Sequence, residues 1–446
     1  MTKDNQHVTR RNFVKRTALA SSAFMIVGPE ILGRGACAAP SDKLNIAAIG
    51  AAGRGGHNLR KMDHQNIVAL CDVDLDRAKE SLQKYERAKK YRDFRKMLDK
   101  QKDIDAVIVS TPDHIHTVAA MNAIKRGKHV YVEKPLAHTI YEVRALMKAA
   151  RENKVQTQLG NQGHSDGDIR KICEWIWDGA IGQVKEVHAW YSSPYGDGKP
   201  HPAETPKIPD TLDWDLWLGP VSYRPYNPCY LPRIWRSWAD FGTGVLGDWV
   251  CHILDPTFWA LKLQAPQSIT AKNGGGDYSP ERFPICSEIE YQFAARENMA
   301  PVKVTWTYGK KVDLPQLQGI ELNEWNAKAG AILIGEKGSI LHGSHGGGGA
   351  RIIPKSRDDE YKKPSEIIPR IKEGHHNDWI RACKDGKPAS STFEYGGPLT
   401  ELALLGVIAT VFDGEKLEWN SAGMQFNNNP KANAHLTPYY RSGWEL

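Results

Sequence analysis

The sequence predicts an α/β protein in which a doubly wound parallel sheet comes first, followed by a second α/β domain built on a large open, mainly antiparallel sheet. Three observations lead there. Between Leu44 and about Gly160, short apolar runs alternate with longer amphipathic stretches, the pattern of parallel strands joined by crossover helices. The first apolar run leads directly into a glycine-rich turn, G-A-A-G-R-G-G, at residues 50–56. After Gly160 the rhythm changes to one helix, a long stretch rich in Pro, Gly and aromatics up to about Gly244, and then strands separated by turns. With 446 residues, 41% hydrophobic and 25% charged, the chain is long enough for two cores, and its composition excludes a disordered or fibrous protein.

Residues 1–38 read as an export signal. The segment T-R-R-N-F-V-K at 9–15 is a twin-arginine pattern, and the uncharged stretch 17–28 that follows is too short to span a bilayer. Ala36, Cys37 and Ala38 form an A-x-A-like cleavage site, so the mature chain is expected to begin near Ala39, in the periplasm. Lipid attachment at Cys37 is disfavoured, because Arg34 stands where a lipobox has an aliphatic residue. Losing this segment removes six basic and two acidic side chains and lowers the net charge from +7 to +3, too little for a nucleic-acid surface. No second apolar run reaches membrane length, so no span is expected in the mature protein. Its six cysteines contain no C-x-x-C and signal no metal site.

In the first half, strands are expected at 44–49, 67–71, weakly near Tyr91, and at 105–109, 129–132 and 155–159, with helices at 75–89 and 114–126. The second half reads as a helix at 169–177, strands at 183–191, 287–294, 302–308, 331–334 and 339–342, and closing helices at 377–384 and 399–412. The domain boundaries that follow are 39–163 and 164–446, with the closing helices returning toward the first domain. The run Gly346–Gly349 reads as a flexible turn, since no helix pattern follows it.

A glycine turn between strand and helix lets the backbone approach a pyrophosphate, whose charge is met by the helix N-terminus. Matched to G-x-G-x-x-G, the positions here are Gly50, Ala52 and Gly55. Alanine replaces the middle glycine, so either the approach is slightly wider or Gly53 takes over, with Arg54 beside it. The second strand ends in C-D-V-D, and Asp72 lies 22 residues after Gly50, the separation of a carboxylate that accepts the ribose hydroxyls. A carboxylate there repels a 2′-phosphate, which favours NAD over NADP. Turn, spacing and strand context together define a Rossmann domain.

The segments V-I-V-S-T-P-D-H-I-H-T at 107–117 and H-V-Y-V-E-K-P-L at 129–136, with N-Q-G-H at 161–164 and G-D-W-V-C-H at 247–252, resemble the Gfo/Idh/MocA family of oxidoreductases over essentially the whole mature chain. The resemblance implies cofactor contacts for Thr111, Pro112, His114 and His116. It implies Glu133 and Lys134 beside the nicotinamide, with the peptide before Pro135 often cis, and Asn161 and Gln162 bordering the nicotinamide ribose. It also implies association of copies through the C-terminal sheet. The competing reading of His114 and His116 is helix capping and solvation.

Oxidising a secondary alcohol requires a base for the hydroxyl proton while the hydride leaves for the nicotinamide. Asp248 and His252 are four apart and project from one face of a helix. The resemblance matches them to a D-x-x-x-H pattern, with His252 as proton carrier, Lys134 as hydrogen-bond partner and electrostatic tuner, and Asp248 holding substrate or orienting the ring. The roles of His252 and Lys134 are interchangeable at this stage, and the competing reading makes Asp248 a helix cap and His252 a core histidine. Seven of the fourteen tryptophans fall between Trp190 and Trp259. Aromatic faces beside polar groups suit a pyranose, with Arg233, Trp235 and Arg236 as expected substrate contacts. The twin-arginine route carries folded proteins, so NAD is expected to be tightly bound before export. Two other functions compete with the sugar or glycoside dehydrogenase: a glycosidase using transient oxidation by NAD, and a non-catalytic binding protein. His375-His376 reads as a solvated helix start rather than a metal site.

Overall fold

The apolar runs of the first half become parallel strands because, β3 apart, they are short, rich in Ala, Val and Ile, and covered on both faces. The computed structural model describes residues 42–195, 201–275, 281–317 and 328–446; the twin-arginine pattern, the cleavage site and Cys37 lie outside the described residues. The strands are β1 Asn45–Ile49, β2 Asn66–Cys71, β3 Lys89–Tyr91, β4 Ala106–Val109, β5 His129–Glu133 and β6 Thr157–Gly160. Their order is β3-β2-β1-β4-β5-β6, all parallel, so the chain reverses direction across the sheet between β1 and β4. Ligands bind in such a sheet outside the strand C-termini at the reversal. The helix expected at 75–89 forms only over Lys79–Lys84. Asp74 pairs with Leu212 in an isolated bridge and the Leu75 N–H donates to the Thr211 carbonyl at 3.2 Å, which keeps the preceding residues out of the helix.

The second sheet has nine strands: β7 Val184–Tyr191, β8 Ser268–Gly274, β9 Cys286–Phe293, β10 Val302–Tyr308, β11 Ala329–Gly335, β12 Gly338–Gly343, β13 Arg351–Ile353, β14 Lys416–Asn420 and β15 Gln425–Phe426, in the order β13-β12-β11-β7-β10-β9-β8-β14-β15. Only β7 and β10 run parallel; the other neighbours are antiparallel. The strands that sequence patterning did not reveal, β8, β13, β14 and β15, are short or carry Lys, Asn and Glu, as suits positions toward the sheet edges. Ile289, Tyr291, Val304 and Trp306 share a core with Leu402, Leu405 and Ile408 of helix Phe393–Val411. That helix starts six residues before the expected position and contains Pro398. The buried Phe393, whose N–H donates to Thr157 Oγ1 at 3.0 Å, anchors its first turn, and this docking outweighs the hydrogen bond that proline removes.

Residues 44–446 form one compact unit. Trp379, fully buried, meets the Tyr131 ring at 5.7 Å between centroids and shares a core with Ile46, Ala48 and Ile108, so helix His375–Asp385 covers part of one face of the first sheet. The expectation of a solvated helix start at His375-His376 is corrected. His375 Nε2 bonds the Leu159 carbonyl at 2.8 Å, and His376 bonds Asn58 Oδ1 at 2.9 Å while stacking on Tyr131. These two rings dock the helix, and no cluster of metal ligands occurs among the described residues.

The glycine-rich run after β12 is docked rather than free. A Cβ on Gly163 would lie 2.1 Å from the His345 carbonyl carbon, so the two backbones touch where the chain leaves the first sheet. Gly163→Ala is expected to lower the unfolding free energy by about 1–3 kcal/mol, the range for overpacking a tight contact, read as a lower denaturant midpoint.

Candidate active site

A cleft of about 970 Å³ runs from the C-terminal ends of β1, β2, β4 and β5 to helix Gly244–Ile253 and the loop carrying His345. At one end lies the glycine turn. A Cβ on Gly55 would fall 1.8 Å from the Gly50 carbonyl oxygen, so the turn closes on itself only with glycine there. Gly50 and Gly53 hold φ of 82° and 51°, the left-handed region that glycine adopts without strain. A Cβ on Gly53 would meet nothing within 4 Å, and Gly53 lines the cleft together with Ala52 and Arg54. Helix Arg54–Lys61 begins there with no side-chain cap and no acidic residue in its first turn; the Gly55 and Gly56 N–H groups donate to the Ala52 carbonyl at 2.9 and 3.4 Å, so it is the backbone N–H of Arg54 that is left to meet an anion.

Asp72 lies at the same end, its carboxylate accepting from the Ala51 N–H at 2.8 Å and the Asp74 N–H at 3.0 Å. Burial raises its pKa, against the lowering effect of those bonds. Arg77 and Arg92, which sequence reasoning did not single out, line the cleft beside it. So does Trp444, held by Arg95 at 4.0 Å from its ring centroid and by the edge of Phe94 at 6.0 Å. Thr111 and Pro112 line the cleft, and Thr111 Oγ1 is buried without a hydrogen-bond partner among the described residues. A dinucleotide fits this set: open glycine backbone, uncapped helix start, a carboxylate just after β2 and an unpartnered hydroxyl.

At the other end the sequence-predicted chemistry comes together. Lys134, Asp248 and His252 all line the cleft, and the Lys134–Pro135 peptide is cis. Lys134 Nζ donates to the Asp248 carbonyl at 2.9 Å and to its Oδ1; Arg236 Nε donates to Oδ1 at 3.1 Å; and Tyr195 donates its hydroxyl proton to Oδ2. Burial by itself would raise the Asp248 pKa, but the Lys134 and Arg236 charges and these hydrogen bonds hold it well below the usual carboxylate range. Burial, then the charges of Lys134 and a neighbouring His345, depress the His252 pKa well below its ordinary value, so its imidazole is neutral at neutral pH. His252 is 4% exposed, and its Nδ1 has no partner among the described residues.

Asp248 therefore does not orient the His252 ring, since its carboxylate is taken by Lys134, Arg236 and Tyr195. Nor does it cap its helix, which starts four residues earlier at Gly244. Glu133 is oriented by Asn58 at 2.8 Å and Gln162 at 2.9 Å. Of the expected substrate contacts, Arg233 is exposed at the cleft, and Trp235 lies under the Arg236 guanidinium at 4.3 Å.

Of the expected cofactor contacts, Gly55 lies inside the turn, and His114, His116, Asn161 and Gln162 do not line the cleft, the Gln162 amide donating instead to Tyr131 and Glu133. The His114 ring nitrogens face the carbonyls of Phe241 and Trp217, with burial pushing its pKa down to about 3; those of His116 face Pro135 and Thr111. Both rings are buried and neither lines the cleft, so they brace the turn rather than touch a ligand. Asn161 is also buried away from it, bonded to Asp255 at 2.9 Å and Ser391 at 2.7 Å. Sequence reasoning missed His345 and Tyr195 as site residues. His345 stacks on His252 with ring centroids 4.2 Å apart, and the Tyr195 hydroxyl also accepts from Trp249 Nε1 at 2.7 Å. Only tertiary structure brings these two to the site.

A family model described as "Oxidoreductase family, NAD-binding Rossmann fold" matches residues 44–161, and its companion, "Oxidoreductase family, C-terminal alpha/beta domain", matches residues 182–296. Inositol 2-dehydrogenase of Salmonella typhimurium is 30% identical over 202 residues, 43% of this chain and 58% of that protein. Levoglucosan dehydrogenase of Pseudarthrobacter phenanthrenivorans is 25% identical over 192 residues, 43% of this chain and 41% of that protein. The chain thus spans less than two thirds of the length of these relatives. The solved structure of aldose-aldose oxidoreductase from Caulobacter crescentus, complexed with glycerol, superposes with a TM-score of 0.55 at 16% identity, over 84% of this chain and 100% of that one, and so shares the fold.

The depressed Asp248 pKa has a consequence for stability. Its contribution is present above the unfolded carboxylate value of about 3.9 and is lost as pH falls toward the lower folded value. Urea denaturation from pH 6 down to pH 3 is therefore expected to show the parent protein losing stability more steeply than Asp248→Asn below about pH 4.

Proposed function

Because this chain belongs to the Gfo/Idh/MocA family of oxidoreductases, we propose that it is an NAD(H)-dependent enzyme that oxidises a secondary hydroxyl of a sugar or sugar-like polyol to a ketone. The observation that carries the proposal is the meeting of Lys134, Asp248 and the unpartnered His252 in the cleft that also holds the glycine turn and Asp72. Gly50, Ala52, Gly53, Arg54, Asp72, Thr111 and Pro112 would hold the dinucleotide, and when bound it supplies the acceptor for the hydride leaving the carbinol carbon. NAD is proposed over NADP because the carboxylates of Asp72 and Asp74, which line that end of the cleft, would repel a 2′-phosphate.

The chain's own residues handle the proton. Neutral His252 accepts it from the substrate hydroxyl as the carbonyl forms, and the Lys134 ammonium lies close enough to favour the alkoxide character that develops. Asp248 keeps that ammonium and the Arg236 guanidinium in place, and Arg233 with Trp235 faces the sugar. Names of relatives, inositol 2-dehydrogenase and levoglucosan dehydrogenase, support cyclic polyols and sugars as the substrate class. The twin-arginine pattern at 9–15 supports export to the periplasm with nucleotide already bound, and association of copies through the second sheet rests on the family resemblance.

The test is mass spectrometry of the denatured protein for NAD, followed by a screen of myo-inositol, levoglucosan and methyl glycosides at the reduced-nicotinamide absorbance. His252→Ala and Lys134→Ala are each expected to lower kcat by about 100-fold or more. The acid limb of kcat/KM in the oxidation direction should lie below about pH 6.5, because the base is lost only when His252 protonates. Glycoside cleavage without net nucleotide reduction, or full turnover by His252→Ala, would overturn the proposal. Trp444 walls the Asp72 end, so Trp444→Ala should lose nucleotide on dialysis that Trp444→Phe retains, measured by the bound NAD fraction.

A further inference from the structure

The imidazole of His252 lacks the hydrogen bond that usually fixes a catalytic histidine. Such a ring is ordinarily held by a carboxylate or carbonyl at the nitrogen remote from the substrate, which sets both tautomer and rotation. Here Nδ1 is buried without a partner among the described residues, and Asp248, one turn away, is taken by Lys134, Arg236 and Tyr195. The ring contacts that remain are aromatic. His345 lies face to face with His252, 24° from parallel at 4.2 Å between centroids, and Trp249 meets the ring edge-on at 6.2 Å.

The loop is built to present that one ring. His345 has φ of 54°, a left-handed conformation uncommon for a residue with a side chain, and Gly346 and Gly347 continue it at 81° and 79°. Gly163 packs directly against this backbone, and Ser344 Oγ meets His345 Nδ1 at 2.9 Å. The side chain lines the cleft and touches Trp249 as well as His252.

We infer that His345 is a positioning residue for the reaction: its ring face sets the rotation of the His252 imidazole, so that a ring nitrogen faces the substrate hydroxyl. Stacked rings have their N–H bonds in parallel planes, so the pair is arranged to align and not to pass a proton from one ring to the other. The inference rests on the acid/base role proposed for His252.

The experiment uses two variants of the whole protein with its nucleotide. Asparagine tolerates the left-handed backbone, so His345→Asn removes the ring while leaving the loop conformation accessible. His345→Phe keeps a ring face without nitrogen. With whichever of myo-inositol, levoglucosan or methyl glycoside is turned over, His345→Asn is expected to lower kcat about 10- to 100-fold, the scale of a misplaced catalytic group, with KM within about twofold. His345→Phe should recover most of that loss, and bound NAD should be equal in all three proteins. A crystal structure of His345→Asn should show the His252 ring rotated or spread over two orientations. Unchanged kcat in His345→Asn with His252 in place would overturn the inference, as would His345→Phe being no better than His345→Asn. Turnover by His252→Ala would instead remove the acid/base assignment beneath it, so the two failures are told apart.

Discussion

One buried carboxylate organises the reactive end of the cleft. Asp248 accepts hydrogen bonds from Lys134 at the end of β5, from Tyr195 just after β7 and from Arg236 in the aromatic-rich stretch, so three separate segments converge on two oxygens. Burying the charge is costly, and the cost is offset only while its partners stay in place. The site is therefore arranged before any ligand arrives, with elements of both sheets pinned to one group. Burial is the main reason that the neutral forms of His252 and His345 are favoured, and the Lys134 charge adds to it. One of the groups that hold the geometry thus also favours the neutral imidazole that faces the cleft.

Much of the first sheet was legible because its signals are local. A buried parallel strand is a short uncharged run, and a glycine turn followed by an acidic strand end is a pattern within thirty residues. Five of the six strands stand close to where the apolar runs place them, and β3, K-K-Y, carries only the weak signal of Tyr91. The i, i+4 spacing of Asp248 and His252 put them on one helical face, and Lys134 joined them through the family resemblance. Where the reading failed, long-range contacts had decided the local structure. The bridge between Asp74 and Leu212 shortened one helix, and the docking of Phe393 extended another across a proline.

The parts of the site that were not legible share a cause. His345 sits 93 residues after His252 in a run whose glycines look like a flexible turn, and nothing within that run says that Gly163 locks it. Tyr195 is one tyrosine in a stretch full of aromatics without periodicity. Trp444 is two residues from the chain's last. Conversely, His114 and His116 carry a motif but are turned toward backbone carbonyls, because a histidine at the start of a fully buried helix needs partners for its own nitrogens before it can serve a ligand.

The burial of Trp379 against Ile46, Ile108 and Tyr131 has a consequence for biogenesis. Part of one layer of the amino-terminal half is supplied by a helix that leaves the ribosome more than two hundred residues after β6. Leu59, Met62 and Ala78 from the half's own segments join Ile46 and Leu70 in that layer, and only Trp379 and Ile380 arrive late. Completion of this core therefore waits on nearly the whole polypeptide.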